Sequence, residues 1–226
     1  SVLKEETIKQ FKALVPIPRY SDRYDYSNIG VKTQQENLLN NIKKHYKEIV
    51  EGEKIEWVDQ GEKILDGAGN FICEGNCYFD IPASDDGKDI PMIILQGHMD
   101  MVFARAEGST RGLDTPIEIE EATKDGHPII QSKNSQSSIG ADDGIGIATM
   151  LSILINRDKF THGKIRCLFT TEEEPGLIGA EQVPSDDDPT NGNWFREEPK
   201  NKNSALIKYF LNIDGEDVES SDIANS

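Results

Sequence analysis

The run Pro91-Met92-Ile93-Ile94-Leu95-Gln96-Gly97-His98-Met99-Asp100 constrains this chain more than any other stretch. An apolar strand, 91–95, runs straight into a glycine and then into His-x-Asp. Side chains two apart in a strand share a face. Continued strand geometry therefore sets His98 beside Asp100, an imidazole next to a carboxylate able to orient it. That pairing suits a metal site, yet His-x-Asp also occurs as an ordinary surface pair after a strand. The deciding question is whether more acidic residues arrive at the ends of later elements.

They do. An apolar strand at 164–169 delivers Thr170-Thr171-Glu172-Glu173-Glu174-Pro175-Gly176, and a strand at 205–213 delivers Asp214. A helix expected from near Asp143 to about Asn156 places Asp142 at its mouth, where the helix dipole favours an acid. Earlier, apolar residues at helical spacing predict helices at 5–15 and from a capping box at Thr33 and Glu36 to Val50. Alternating stretches predict strands at 54–58, 71–73 and 77–81, and a hairpin of 115–121 with 127–131 across Lys124-Asp125-Gly126. Strands alternating with helices predict an α/β fold: a mixed sheet with helices on both faces. In such sheets ligands sit beyond the carboxyl ends of the strands. His98, Glu173, Glu174 and Asp214 all fall there.

Charge narrows the partners. Twenty-four Lys and Arg stand against 41 Asp and Glu, a net charge of −17. Such a surface repels nucleic-acid phosphates and anionic membranes, and is compatible with metal cations. The three cysteines, Cys73, Cys77 and Cys167, form no disulfide framework or zinc-finger pairing, and the first residues show no apolar signal-peptide core. A cytoplasmic protein is expected. The longest apolar run, 145–155, is too short to span a bilayer.

One imidazole with several carboxylates suits Zn²⁺, Mn²⁺ or Co²⁺ rather than a thiolate-preferring metal. Bridging carboxylates suit two metals, and one carboxylate must stay unliganded to accept a proton from water. Neighbouring glutamates allow that division, because adjacent side chains point differently. Three like charges ahead of Pro175-Gly176 are also costly unless a cation neutralises them.

Four segments carry a specific resemblance: 96–102 around His98, 140–146 around Asp142, 170–176 around the glutamates and 211–216 around Asp214. In order and spacing they resemble the M20 metallopeptidases, and most of all the aminoacyl-histidine (Xaa-His) dipeptidase branch, also called the peptidase D or carnosinase-like branch. Asp66-Gly67-Ala68-Gly69-Asn70 is similar to that branch's Asp-x-x-Gly-Asn. The resemblance implies two divalent metals, foremost zinc, with His98 and Asp214 on one, Glu174 on the other and Asp142 bridging. It implies Asp100 as the carboxylate orienting His98 and Glu173 as general base, then acid to the leaving amine. The reaction implied is hydrolysis of a dipeptide such as Xaa-His by a metal-activated water.

The family's catalytic domain closes with a further metal-binding His after an inserted lid, which commonly brings dimer contacts and an oxyanion-stabilising His. The chain is therefore expected to be the N-terminal part of such a domain over 1–226. A polar insertion falls at about 184–204, the lid and last strands are missing, and the isolated piece is expected to be weakly active. Within the insertion, Asp186, Asp188, Thr190 and Glu197 mimic EF-hand spacing, but Asn191 replaces the required glycine and Pro189 intrudes. His45, His127 and His162 are expected to be structural or exposed. A di-metal amidohydrolase acting on N-acyl amino acids would use the same residues, and a non-catalytic acidic module would use none.

Overall fold

The computed structural model describes residues 2–21, 38–185, 192–195, 209–214 and 223–224. In chain order the elements begin with helices α1 (Val2–Leu14) and α2 (Leu38–Gly52) and strands β1 (Trp57–Asp59), β2 (Lys63–Leu65), β3 (Phe71–Glu74) and β4 (Cys77–Ile81). Strands β5 (Ile93–His98), β6 (Ile119–Lys124) and β7 (His127–Ser132) and helix α3 (Ala141–Ile155) follow. Strands β8 (Ile165–Thr170), β9 (Tyr209–Asn212) and β10 (Ile223–Ala224) complete the set.

The α/β class read from the sequence is present. Six strands form one mixed sheet in the order β1-β4-β8-β5-β9-β10. Strands β8, β5 and β9 run parallel, and the remaining pairings are antiparallel. All six residues of β8 are buried, as expected of a central strand covered on both faces. The parallel trio matters most, because its carboxyl ends open on one edge. His98 pairs in register with Thr170, and Gln96 with Asn212. The chains that follow His98, Thr170 and Asn212 therefore start side by side.

One face of the sheet carries the three described α-helices. α3 is apolar nearly all round, with Ile147, Ala148, Met150, Leu151 and Leu154 buried, because it lies between the sheet and α1. α1 turns Phe11 and Leu14 inward, and α2 turns in Leu39, Ile42, Tyr46 and Val50. Phe169 of β8 sits among aromatic rings, with centroids 5.4 Å from Tyr46, 5.7 Å from Phe79 and 5.9 Å from Trp57. Edge-on contacts of this kind add to area burial. On the opposite face, among the described residues, irregular chain bearing Val183, Trp194 and Phe195 packs on Ile94 and Leu168. Arg166 anchors that layer by donating to Trp194 O at 2.6 Å, while it forks onto Asp80 of β4, both bonds at 2.8 Å, and stacks 4.1 Å over the Tyr78 ring.

Several boundaries differ from the sequence reading. Strand geometry begins at Trp57 rather than at residue 54, because α2 ends in a turn through Lys54 at φ +61°. α1 and α3 start earlier than expected, at Val2 and Ala141. Strand β2, absent from the sequence reading, pairs with β3 across the Asp66–Asn70 turn, where Asp66 accepts the backbone N–H of Ala68 and Asn70. The hairpin is present as β6 and β7, and the last expected strand is described at Tyr209–Asn212. Thr33, Glu36, most of the polar insertion and residues 205–208 lie outside the described residues. Among the described residues no helix is long and apolar enough to cross a membrane.

Candidate metal centre

Every residue of the centre comes from the carboxyl edge of the parallel strands or from the mouth of α3. His98 ends β5 and is 1% exposed. Its Nε2 lies 2.9 Å from Asp142 Oδ1, 3.8 Å from Asp214 Oδ2 and 3.9 Å from Glu173 Oε2. Donor atoms of His98, Asp142 and Glu174 all fall within 4.8 Å of one another. All five residues singled out around the expected metals thus meet in one place.

Local chemistry explains how they get there. Asp214 follows β9 by two residues, and its backbone N–H donates to Asn212 Oδ1 at 2.7 Å. Beyond β8 the chain turns sharply at Glu172, whose φ is +53°, and is then pinned by Ile178 and Gly179 donating back to Glu172 and Thr171. Glu172 is buried beneath the turn. Glu173 and Glu174 emerge half-buried on the site side but aim differently, as expected for neighbours. Glu173 approaches His98, while Glu174 Oε1 accepts the Val102 N–H at 3.2 Å. At α3, Gly140 takes φ +61° to reverse the chain, and a cis peptide joins Asp142 to Asp143.

Asp100 lies past the strand end yet sits behind His98, as expected. It is fully buried, with Oδ1 3.4 Å from His98 Nδ1. The same carboxylate accepts the backbone N–H groups of Glu173 at 3.1 Å and Glu174 at 3.3 Å and the Ser21 hydroxyl at 2.6 Å. Burial alone would raise its pKa, but His98, Ser21 and the Glu173 amide outweigh burial and hold it below the usual range.

The electrostatics describe a pocket short of positive charge. Burial would depress His98, but Asp100, Asp142 and Asp143 around it drive its pKa up to about 11. Burial and the surrounding acids raise Glu174 to about 7 and Asp214 to about 6, and push Glu173 upward as well. Asp142 is held low, chiefly by its bond to His98. A divalent ion fits this donor set. Metal–ligand bonds of about 2.0 Å imply donor separations near 3.3 Å in a tetrahedron, and the 2.9 Å and 3.8 Å distances about Nε2 bracket that value. Imidazole plus carboxylates is the donor chemistry of zinc and its first-row neighbours.

Two contributors were not singled out in the sequence. Asp143 is buried under the centre, its Oδ1 accepting the Gly146 N–H at 3.0 Å, and burial lifts its pKa to about 8. A Cβ on Gly97 would lie 2.1 Å from Asp143 Oδ2, so strand and helix touch there backbone to side chain. The other is the Arg19–Ser21 segment, which lies outside the four motifs. It pairs alongside Met101 through Met101 N–H to Arg19 O and Ser21 N–H to Met101 O, both 3.1 Å. The doublet of acids at 142–143 was the only sequence signal for the first, and nothing local signalled the second. The other histidines stand apart: His45 is half-buried on α2, His127 is exposed, and His162 is buried against Gly163 O at 2.7 Å.

Comparison with known proteins places the chain in a family. The model of peptidase family M28 matches residues 76–223. The chain belongs to peptidase family M28. Its relatives include the cytosol non-specific dipeptidase of Escherichia coli, 31% identical over 126 residues, covering 54% of this chain and 22% of that protein. Peptidase T of Macrococcus caseolyticus is 27% identical over 195 residues, covering 77% of this chain and 43% of that one. These relatives are of the M20 family, so the family resemblance read from the sequence is borne out. Among solved structures, an aminoacylhistidine dipeptidase from Vibrio alginolyticus shares the fold at a TM-score of 0.61 and 21% identity, over 93% of this chain and 33% of that one. This M28 chain therefore spans less than half the length of each of these relatives.

Proposed function

We propose that this chain carries the metal-binding part of a metallopeptidase site that hydrolyses short peptides, foremost dipeptides of the Xaa-His type, in the cytoplasm. The observation that carries this reading is the convergence of His98, Asp142, Glu174 and Asp214 with Glu173 left over beside them. The M28 family membership and the dipeptidase and peptidase T relatives support peptide hydrolysis as the chemistry. The Xaa-His preference rests on the motif resemblance to the aminoacyl-histidine branch.

In this reading His98, Asp142 and Asp214 would hold one divalent ion, and Glu174 with Asp142 would hold part of a second. A divalent ion bound there would supply Lewis-acid polarisation of a carbonyl and a lowered pKa for a water. The protein's own work is proton handling and orientation. Glu173, raised by burial and neighbouring acids, accepts the proton of the attacking water and passes it to the leaving amine nitrogen. Asp100, its Oδ1 3.4 Å from Nδ1, backs the His98 ring electrostatically and leaves Nε2 facing the acids.

The test is metal analysis of the purified chain with Zn²⁺ or Mn²⁺, followed by assay of the longer protein on Xaa-His dipeptides and N-acyl amino acids. Bound metal and dipeptide cleavage are expected. A folded chain that takes up no metal would overturn the reading in favour of a non-catalytic module. Cleavage confined to N-acyl amino acids would replace the substrate class and keep the centre.

A further inference from the structure

Ser21 is 1% exposed and lies outside all four motifs. Its hydroxyl donates to Asp100 Oδ2 at 2.6 Å, across 79 residues of sequence. That length is typical of a charge-assisted bond, which is about twice as strong as a neutral one. The segment that delivers it is fixed on both sides. Backbone bonds tie Arg19 and Ser21 to Met101, and Arg19, itself 1% exposed, donates to Gly140 O and reaches Met101 Sδ at 3.1 Å. Gly140 opens the turn that presents Asp142, and a Cβ there would lie 2.5 Å from Arg19 Nη1.

The need for such a fixture follows from the carboxylate. A terminal torsion between a tetrahedral and a planar carbon is broad, so an aspartate rotates easily unless both oxygens are engaged. Asp100 uses Oδ1 toward His98 and the Glu173 amide, and Oδ2 toward Ser21 and the Glu174 amide. The Glu174 bond is the long one at 3.3 Å, so Oδ2 is held mainly by Ser21.

We propose that Ser21 is a positioning residue for the metal centre. Its hydroxyl sets the rotation of the Asp100 carboxylate, and through it the plane of the His98 ring and the placement of the Glu173–Glu174 backbone. This rests on the metallopeptidase reading above.

Zinc titration calorimetry on the full chain, stripped of metal beforehand, tests it. The starting protein is compared with Ser21→Ala, Ser21→Thr and Ile81→Ala, each also melted in EDTA. Ile81 is buried at the far end of β4, paired with Ile165 at the start of β8, and serves as the control for stability alone. Ser21→Ala is expected to weaken zinc binding about tenfold, as loss of an outer-shell partner does. Ser21→Thr, which keeps the hydroxyl, is expected to retain the starting affinity, and Ile81→Ala to lower the melting temperature without weakening zinc. Should Ser21→Ala not fold, Ser21→Cys gives the same contrast, since a thiol is a weak donor. Unchanged zinc affinity in Ser21→Ala, or an equal loss in Ile81→Ala, overturns the proposal while leaving the metal centre standing. Absence of zinc binding by the starting protein instead overturns the metal centre, and this proposal with it.

Discussion

Asp100 Oδ1 accepts the backbone N–H of Glu173 at 3.1 Å, so the acid behind the histidine also holds the loop that carries the expected base. One buried carboxylate thus couples the end of β5 to the loop after β8. Replacing it with alanine removes that coupling and leaves buried N–H groups unpaired, at about 1–3 kcal/mol each. Asp100→Ala is expected to lose about tenfold to a hundredfold in zinc affinity. Calorimetry with Zn²⁺ checks this, and an unaltered affinity would remove Asp100 from its orienting role.

Glu173 tests the division of labour between the adjacent glutamates. Glu173→Gln keeps shape but cannot take a proton. Metal content is expected to stay, while turnover by the longer protein falls about 10²–10⁴-fold, the usual worth of a positioned acid–base group. Ordinary turnover in that variant would sink the assignment.

Asp142 lies nearest to His98 Nε2 and is expected to serve both metals. Asp142→Ala is expected to abolish stoichiometric metal uptake, whereas chelation of the unmodified chain is reversible on adding Zn²⁺. Inductively coupled plasma analysis after desalting reads both, and full metal content in the variant would contradict the bridging role.

The pocket's charge also dictates a pH dependence. Asp143, Glu174 and Asp214 have folded pKa values raised to about 8, about 7 and about 6. Their ionisation therefore opposes folding, and that opposition is relieved as pH falls through those values. His98, raised to about 11, adds stability below its unfolded pKa and loses it as pH climbs toward that value. Both effects make the metal-free chain more stable at pH 6 than at pH 9. Protons compete with metal for the same groups, so the melting-temperature gap between zinc-loaded and EDTA-treated samples is expected to narrow from pH 8 to pH 5. A gap that widens on acidification would contradict this account.

Stability should depend most on the aromatic cluster beneath the centre. Phe169 is fully buried among Tyr46, Phe79 and Trp57. Phe169→Ala is expected to cost about 3–5 kcal/mol in urea unfolding. A loss under about 1 kcal/mol would mean the site had collapsed around the cavity.

Residues near strand ends were legible because short-range rules govern them. His98, Glu173, Glu174 and Asp214 stand just beyond apolar strands, and Asp142 beside a helix start, so periodicity alone located them. The α/β class followed from the same alternation. Ser21 escaped notice because its partner is 79 residues away and its own surroundings are polar and lack periodicity. Asp143 could not be told from Asp142, since the order of two adjacent acids does not reveal which one turns inward. Lys54 defeated the strand reading at 54–58 because a left-handed residue carried by lysine leaves no glycine to mark the turn. The second face of the sheet was illegible for a different reason: Trp194 and Val183 pack there from irregular chain, which no periodicity announces.

Gly97 gives the centre a fixed clearance. Where its side chain would stand, Asp143 Oδ2 already does. The spacing between strand and helix is therefore set by contact rather than by attraction, and it transfers directly to the neighbouring pair, His98 and Asp142, one carried by each element. A single methyl added at position 97 would act as a shim between the two halves of the cradle.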